Sequence, residues 1–156
     1  MKVTGAELEQ RIDRFKKACH AAGVKLTHQR LEIFREVAES TSHPDAEAVF
    51  RGVKRRVPSV SLDTVYRTLG LLTDLGILFT LGPRRESMRF DANLSPHHHY
   101  VCTSCGLTRD FEAAGFDSLS PPPGIDTFGS VSATHVELRG VCADCLAKEA
   151  SGRQPS

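Results

Sequence analysis

Residues 91–110 read Asp91-Ala-Asn-Leu-Ser-Pro-His-His-His-Tyr-Val-Cys-Thr-Ser-Cys-Gly-Leu-Thr-Arg-Asp110. Three consecutive histidines and a Cys-x-x-Cys pair lie between two terminal aspartates. Imidazole and carboxylate together suit a borderline metal, and paired thiolates suit zinc. Two kinds of metal chemistry therefore adjoin in one short segment. Helix signals precede it, and strand signals with a second thiol pair follow it.

Downstream, Cys142-x-x-Cys145 completes a C-x₂-C…C-x₂-C set with Cys102 and Cys105, the two pairs separated by 36 residues. That interval exceeds the compact zinc modules, so the loop must fold in its own right. Strand-like Thr108–Phe111, a helical turn at Ala113–Ser118 and a long strand over Thr127–Arg139 are expected, with Pro121-Pro122-Pro123-Gly124 as an exposed connection. A closed tetrahedral site would staple the first and last strands of a small domain with little core. A thioredoxin-like redox pair fits less well, because neither pair lies at a strand–helix junction of that pattern. No nucleophile, general base or open zinc position stands out, so the chain is read as a non-enzyme. Cys19 stands apart on an apolar helical face with Leu8, Ile12 and Phe15, and is expected to be a core side chain.

Among the histidines, strand alternation puts His97 and His99 on one face and His98 on the other. A pair two residues apart is a bidentate platform, which Asp91 and Asp110 can approach as oxygen donors. His43, ahead of a proline, is the remaining nitrogen candidate. Three imidazoles and two carboxylates favour Fe(II), Mn(II) or Zn(II). The competing account is a solvated histidine loop and a helix-entry histidine.

Upstream, Thr4 with Glu7 forms a capping signal, Gly23 ends that helix, Thr27 caps a second, and His43-Pro44-Asp45 opens a third with Pro44 in its first turn. Ser61 caps a fourth, with Leu62, Val65, Leu69 and Leu72 inward and Ser61, Thr64, Tyr66, Arg67 and Thr68 outward. Strands Ile77–Leu81 and Ser87–Asp91 flank a Gly82-Pro83-Arg84-Arg85 turn. Helices followed by a basic two-stranded wing make a winged helix-turn-helix, whose fourth helix would enter the major groove. Candidate DNA contacts are Lys25, Arg30, Ser61, Thr64, Tyr66, Arg67, Arg84 and Arg85.

Charge supports that division. Residues 1–89 carry 16 Lys and Arg against 11 Asp and Glu, whereas residues 90–156 carry 4 against 8, suggesting nucleic acid for the first part and cations for the second. No apolar run approaches the ~20 residues needed to cross a bilayer, and the first ten residues are polar without a signal-peptide core. A cytoplasmic protein without membrane contact is expected. The domains expected are 1–90 for DNA binding, 91–150 for dimerisation and metal sensing, and 151–156 as a disordered tail. The fold class is α+β.

Taken together, the motifs resemble the ferric uptake regulator family of metal-dependent repressors over almost the whole chain. The resemblance is carried by Gly23-Val-Lys-Leu-Thr-His-Gln-Arg30, His43-Pro44, Ser61-x-x-Thr-Val-Tyr-Arg-Thr-Leu69, Arg89-Phe-Asp91, His97-x-His99-x-x-Cys-x-x-Cys-Gly106 and Gly140-x-Cys-x-x-Cys145. It implies a winged-helix domain, a dimerisation domain, a structural Cys₄ zinc and a sensing metal whose binding closes a homodimer around palindromic operator DNA. The pattern is most similar to the peroxide-sensing branch, whose five sensing ligands map onto His43, Asp91, His97, His99 and Asp110. The iron-sensing branch usually has Glu where this chain has Asp91 and Asp110, and often a histidine where it has Thr134, with His135 beside it. His98 departs from the peroxide-sensor pattern. The resemblance thus implies Fe(II) or Mn(II) as regulatory metal and hydrogen peroxide as effector, with iron-responsive repression as the alternative.

Overall fold

Helix α1 (Gly5–Ala21) begins where Thr4, in extended backbone, accepts a hydrogen bond from the Glu7 amide at 3.3 Å, satisfying one of the orphan donors of the first turn. In this computed structural model, which describes residues 3–81 and 88–152, the chain divides into two compact units, Met1–Leu94 and Ser95–Ser156. It is an α+β protein.

In the first unit, Thr27 caps α2 (His28–Glu39), Asp45 caps α3 (Ala46–Lys54) and Ser61 caps α4 (Leu62–Asp74), each through its side-chain oxygen. The apolar faces of these helices meet around Phe15, Ile33, Phe34, Val37, Val49, Val53, Val65, Leu69 and Leu72, all at most 1% exposed. Phe15 and Phe34 stack with ring centroids 4.5 Å apart. Each such side chain withdrawn from water contributes about 1.5–3 kcal/mol.

Gly23 and Gly76 both have positive φ, at 67° and 71°. Each closes its helix with paired bonds: Gly23 N to His20 O and Val24 N to Cys19 O, then Gly76 N to Thr73 O and Ile77 N to Leu72 O. This left-handed exit needs glycine because a Cβ would crowd the carbonyl. It also shortens the wing: Ile77 and Leu78 complete the α4 exit and enter the core, leaving β1 as Phe79–Leu81. β1 pairs antiparallel with β2 (Arg89–Asp91), Phe79 opposite Asp91. Ser87 and the expected Gly82–Arg85 turn, including Arg84 and Arg85, lie outside the described residues.

Three local expectations need correction. Asp45 is the cap of α3, so Pro44 precedes the helix, and its carbonyl accepts from the Phe90 amide at 3.0 Å. Thr68 is buried, not outward, since the inward stripe of α4 widens across Val65, Thr68, Leu69 and Leu72. Leu62, expected in the core, is half-buried in the first turn.

In the second unit, β3 (His98–Cys102) is the central strand. β4 (Thr108–Phe111) pairs with it antiparallel, and β5 (Glu137–Gly140) pairs with it parallel. The crossover between β4 and β5 carries α5 (Ala114–Asp117) and a 3₁₀ turn at Ile125–Thr127. The long strand expected over Thr127–Arg139 does not form. Only its last part finds a partner in β3, and Phe128, at 86% exposure, has no core to enter. A helix not anticipated, α6 (Ala143–Gly152), follows the last thiol pair and takes in Ser151 and Gly152 of the expected tail. Residues 153–156 lie outside the described residues. Among the described residues no helix is long and apolar enough to cross a membrane.

Candidate metal centres and nucleic-acid face

The end of β3 delivers Cys102. A turn closed by the Gly106 amide on the Cys102 carbonyl at 2.9 Å, with Gly106 at φ 76°, returns Cys105 toward it. β5 leads into Cys142, and the first turn of α6 carries Cys145. The four sulfurs lie within 4.8 Å of one another, with Cys102–Cys145 at 4.0 Å and Cys105–Cys142 at 3.8 Å. All four are free thiols. A tetrahedron built on zinc–sulfur bonds of about 2.3 Å has edges of about 3.8 Å, so the spacing suits one zinc ion.

The protonation chemistry agrees. Backbone amides of Cys105 and Cys142 point at Cys102 Sγ from 3.5 and 3.3 Å, and these donors hold its thiol low, at about 6. Cys102 is thereby prepared as a thiolate. At Cys145 a hydrogen bond from Ser104 lowers the thiol, but the sulfurs of Cys142 and Cys105, with burial, push it up to about 12. Four adjacent sulfurs do not shed their protons together unless a cation sits among them. Tyr100, Leu107 and Val141 pack against this knot, and a Cβ on Gly140 would meet the Tyr100 hydroxyl at 3.1 Å.

On one face of β3, His97 and His99 set their rings 4.7 Å apart and nearly perpendicular. His97 Nδ1 lies 2.6 Å from the Ser95 carbonyl. A carbonyl only accepts, so Nδ1 carries the proton and Nε2 keeps its lone pair. That Nε2 faces Asp110 Oδ2 at 4.0 Å, and His99 Nε2 faces Asp110 Oδ1 at 3.4 Å. The β3–β4 register places Asp110 opposite His99. His135 stands behind both rings, 6.3 Å from each.

His98 takes the opposite face. Its Nδ1 accepts from the Val136 amide at 3.2 Å, so Nε2–H donates to Asp117 Oδ1 at 3.0 Å. Phe111 and Phe116 flank the ring at 5.6 and 5.4 Å. With both nitrogens engaged, His98 ties β3 to α5 and to the approach of β5. It offers no lone pair to a metal.

In the first unit, His43 and Asp91 are both buried, with Nδ1 and Oδ2 3.7 Å apart. His43 has φ 51°, a conformation uncommon outside glycine. β2 clamps the backbone on either side of it: Arg89 Nη1 donates to the Ser42 carbonyl at 3.3 Å and the Phe90 amide to the Pro44 carbonyl. Asp91 Oδ1 accepts from the Asn93 amide at 2.8 Å, which turns Oδ2 toward His43.

The candidate nucleic-acid face is also in the first unit. Ser61 Oγ accepts from the Thr64 amide at 3.1 Å at the start of α4. Tyr66 is 49% exposed, and Arg67 is exposed with its Nε 2.9 Å from Asp63 Oδ2. Arg30, Thr64 and Arg67 line one hollow of about 280 Å³ together with Thr27 and Gln29. Lys25 is exposed, and its carbonyl accepts from Arg30 Nη1 at 2.5 Å. Gln29, Asp63, Asp117 and Tyr100 were not singled out from the sequence. Asp63, one helical turn before Arg67, was legible from i,i+4 spacing; the others depend on tertiary packing.

Residues 21–121 match the sequence model of the ferric uptake regulator family. The peroxide-responsive repressor of Staphylococcus epidermidis is 34% identical over 139 residues, covering 89% of this chain and 90% of that one. The peroxide operon regulator of Bacillus subtilis is 32% identical over 143 residues, covering 92% and 96%. Among solved structures, a zinc-bound manganese uptake regulator superposes with a TM-score of 0.62 at 26% identity, covering 81% of this chain and 97% of that one.

Proposed function

Because the chain belongs to the ferric uptake regulator family, we propose that it is a metal-dependent, DNA-binding transcriptional repressor that senses peroxide. The observation that carries this reading is the sulfur-free donor set outside the thiol knot. It comprises His97, His99 and Asp110 on one face in the second unit, and His43 beside Asp91 in the first. Imidazoles with carboxylates suit Fe(II) or Mn(II) rather than thiolate-loving ions. The names of the relatives at 34% and 32% identity point the same way.

In this proposal Cys102, Cys105, Cys142 and Cys145 hold a structural zinc. The other five residues, which the family resemblance groups as one ligand set, are the donors for one regulatory ion. The ion acts by its higher affinity for the DNA-binding form. A homodimer in that form presents two α4 helices to a palindromic operator. The excess of Lys and Arg in residues 1–89 supplies the attraction to phosphate.

Fe(II) held by these residues would activate peroxide at the site. An imidazole of His43 or His97 would take one peroxide oxygen at a ring carbon, with peroxide as the two-electron oxidant; the ring C–H bond would give way to C–O and the other oxygen would leave as water. The oxidised ring would be a poorer ligand, and the DNA-binding form would lose its advantage. The test loads full-length protein with Fe(II) or Mn(II), adds peroxide, and follows both operator binding and the mass of the His43 and His97 peptides. The iron form is expected to lose DNA and gain one oxygen atom, and the manganese form to retain DNA. Retention of DNA by the oxidant-treated iron form would reject peroxide sensing and leave iron-responsive repression.

A further inference from the structure

Simple electrostatics argues against Asp63. It stands in the first turn of α4 with its side chain 70% exposed, on the helix proposed to face DNA phosphates that repel it. Its Oδ2 lies 2.9 Å from Arg67 Nε in an i,i+4 ion pair. An exposed pair of this kind adds little stability, and a first-turn acid complements the helix dipole whichever way it points. The pair does bias the direction of the guanidinium. With Nε facing Asp63, the Nη hydrogens remain for a two-pronged contact with a base edge. Arg30 lines the same hollow as Arg67, and like charges disfavour a guanidinium turned into it.

We propose that Asp63 is a positioning and specificity residue: it aims Arg67 at a guanine edge and repels duplexes that offer Arg67 no such partner. The inference rests on the proposed role of the first unit as a DNA reader. Specificity is a difference between affinities, and a negative charge on the reading surface lowers the sequence-independent part directly. On a matching sequence the Arg67 fork offsets that repulsion. On other sequences the repulsion stands alone.

The test uses the full-length, Mn(II)-loaded protein. Selection from a random duplex library defines the preferred sequence of the wild type. Affinities of wild type, Asp63→Asn and Asp63→Glu are then measured on that duplex and on a scrambled one across a salt series. Asp63→Asn is expected to bind the scrambled duplex several-fold tighter and to lose roughly tenfold discrimination at one G·C pair, with an unchanged thermal midpoint. Asp63→Glu retains the repulsion of scrambled DNA. Arg67→Lys, which keeps the charge and loses the fork, loses discrimination at the same pair without binding scrambled DNA more tightly.

Wild-type discrimination in Asp63→Asn overturns the inference, as does an Asp63→Asn effect confined to the thermal midpoint. Should Asp63→Asn fail to fold, Asp63→Ser is measured in the same way and decides. Selection of no sequence by the wild type would instead refute the DNA-reading proposal itself.

Discussion

His98 sits between two residues of a metal-suited face and takes no part in it. Strand alternation alone separates it from His97 and His99, and the structure gives that separation a chemical reason in the Val136 and Asp117 bonds. The partners themselves were not legible, because Asp117 and Val136 reach His98 only through α5 and β5. Cys19 shows the same division between residue and context. Its place on the apolar face of α1 was readable from spacing, and it is 1% exposed. Burial pushes its thiol up, only partly opposed by the Arg30 charge. A thiol held neutral and shielded is a poor nucleophile. Native protein treated with chelator and Ellman's reagent should therefore release the four knot thiols and hold back one. Peptide mapping should identify the protected thiol as Cys19, which reacts on addition of denaturant. Rapid labelling of Cys19 in the folded protein would contradict its placement in the core.

The helices of the first unit were legible because their ends are written locally. Thr4, Thr27 and Ser61 each accept an amide three residues on, and Gly23 and Gly76 supply the left-handed exits. These devices make a direct prediction for α4. Ser61→Ala should cost about 1 kcal/mol by removing the cap, and Gly76→Ala about 1–2 kcal/mol by forcing a Cβ into positive φ. Urea titration of metal-loaded protein measures both, and the pair should add because the two ends share no partner. A near-zero effect for Gly76→Ala would show that the α4 exit relaxes. Strands were less legible for a physical reason. Apolar residues at Val131, Val136 and Leu138 read as a strand, but pairing needs a neighbour, and β3 supplies one only over Glu137–Gly140. In the wing, Ile77 and Leu78 carry strand-like side chains that the helix exit and the core claim first.

At the scale of the whole molecule, the two units are stabilised by different means. The first has a continuous apolar core drawn from all four helices and the wing. In the second, the buried cluster among the described residues is Cys102, Cys142 and Cys145 with Tyr100, Leu107 and Val141 around it. The spacing of the cysteines made this legible, since two thiol pairs that bracket a small domain are placed to staple its first and last strands. The proposed sensing set was legible in steps: alternation paired His97 with His99, Asp91, Asp110 and His43 entered as further candidate donors, and the family resemblance grouped all five as one ligand set. A unit of about 60 residues has a net stability of only about 3–9 kcal/mol, whereas a structural zinc contributes about 10–16 kcal/mol in comparable small sites. Zinc removal should therefore unfold the second unit and spare the first. Hydrogen exchange is the measurement that separates them. After chelation, amides of β3, β4 and β5 should lose their protection, while those of α1 to α4 around Phe15, Phe34 and Leu69 keep theirs. Cys102→Ser should reproduce the effect without chelator, because it removes the thiol that the Cys105 and Cys142 amides prepare as a ligand. Persistent protection of β3 in both the chelated protein and the variant would mean that the strand pairing and the His98 ties hold the second unit without metal, and that the thiol knot has a role other than folding.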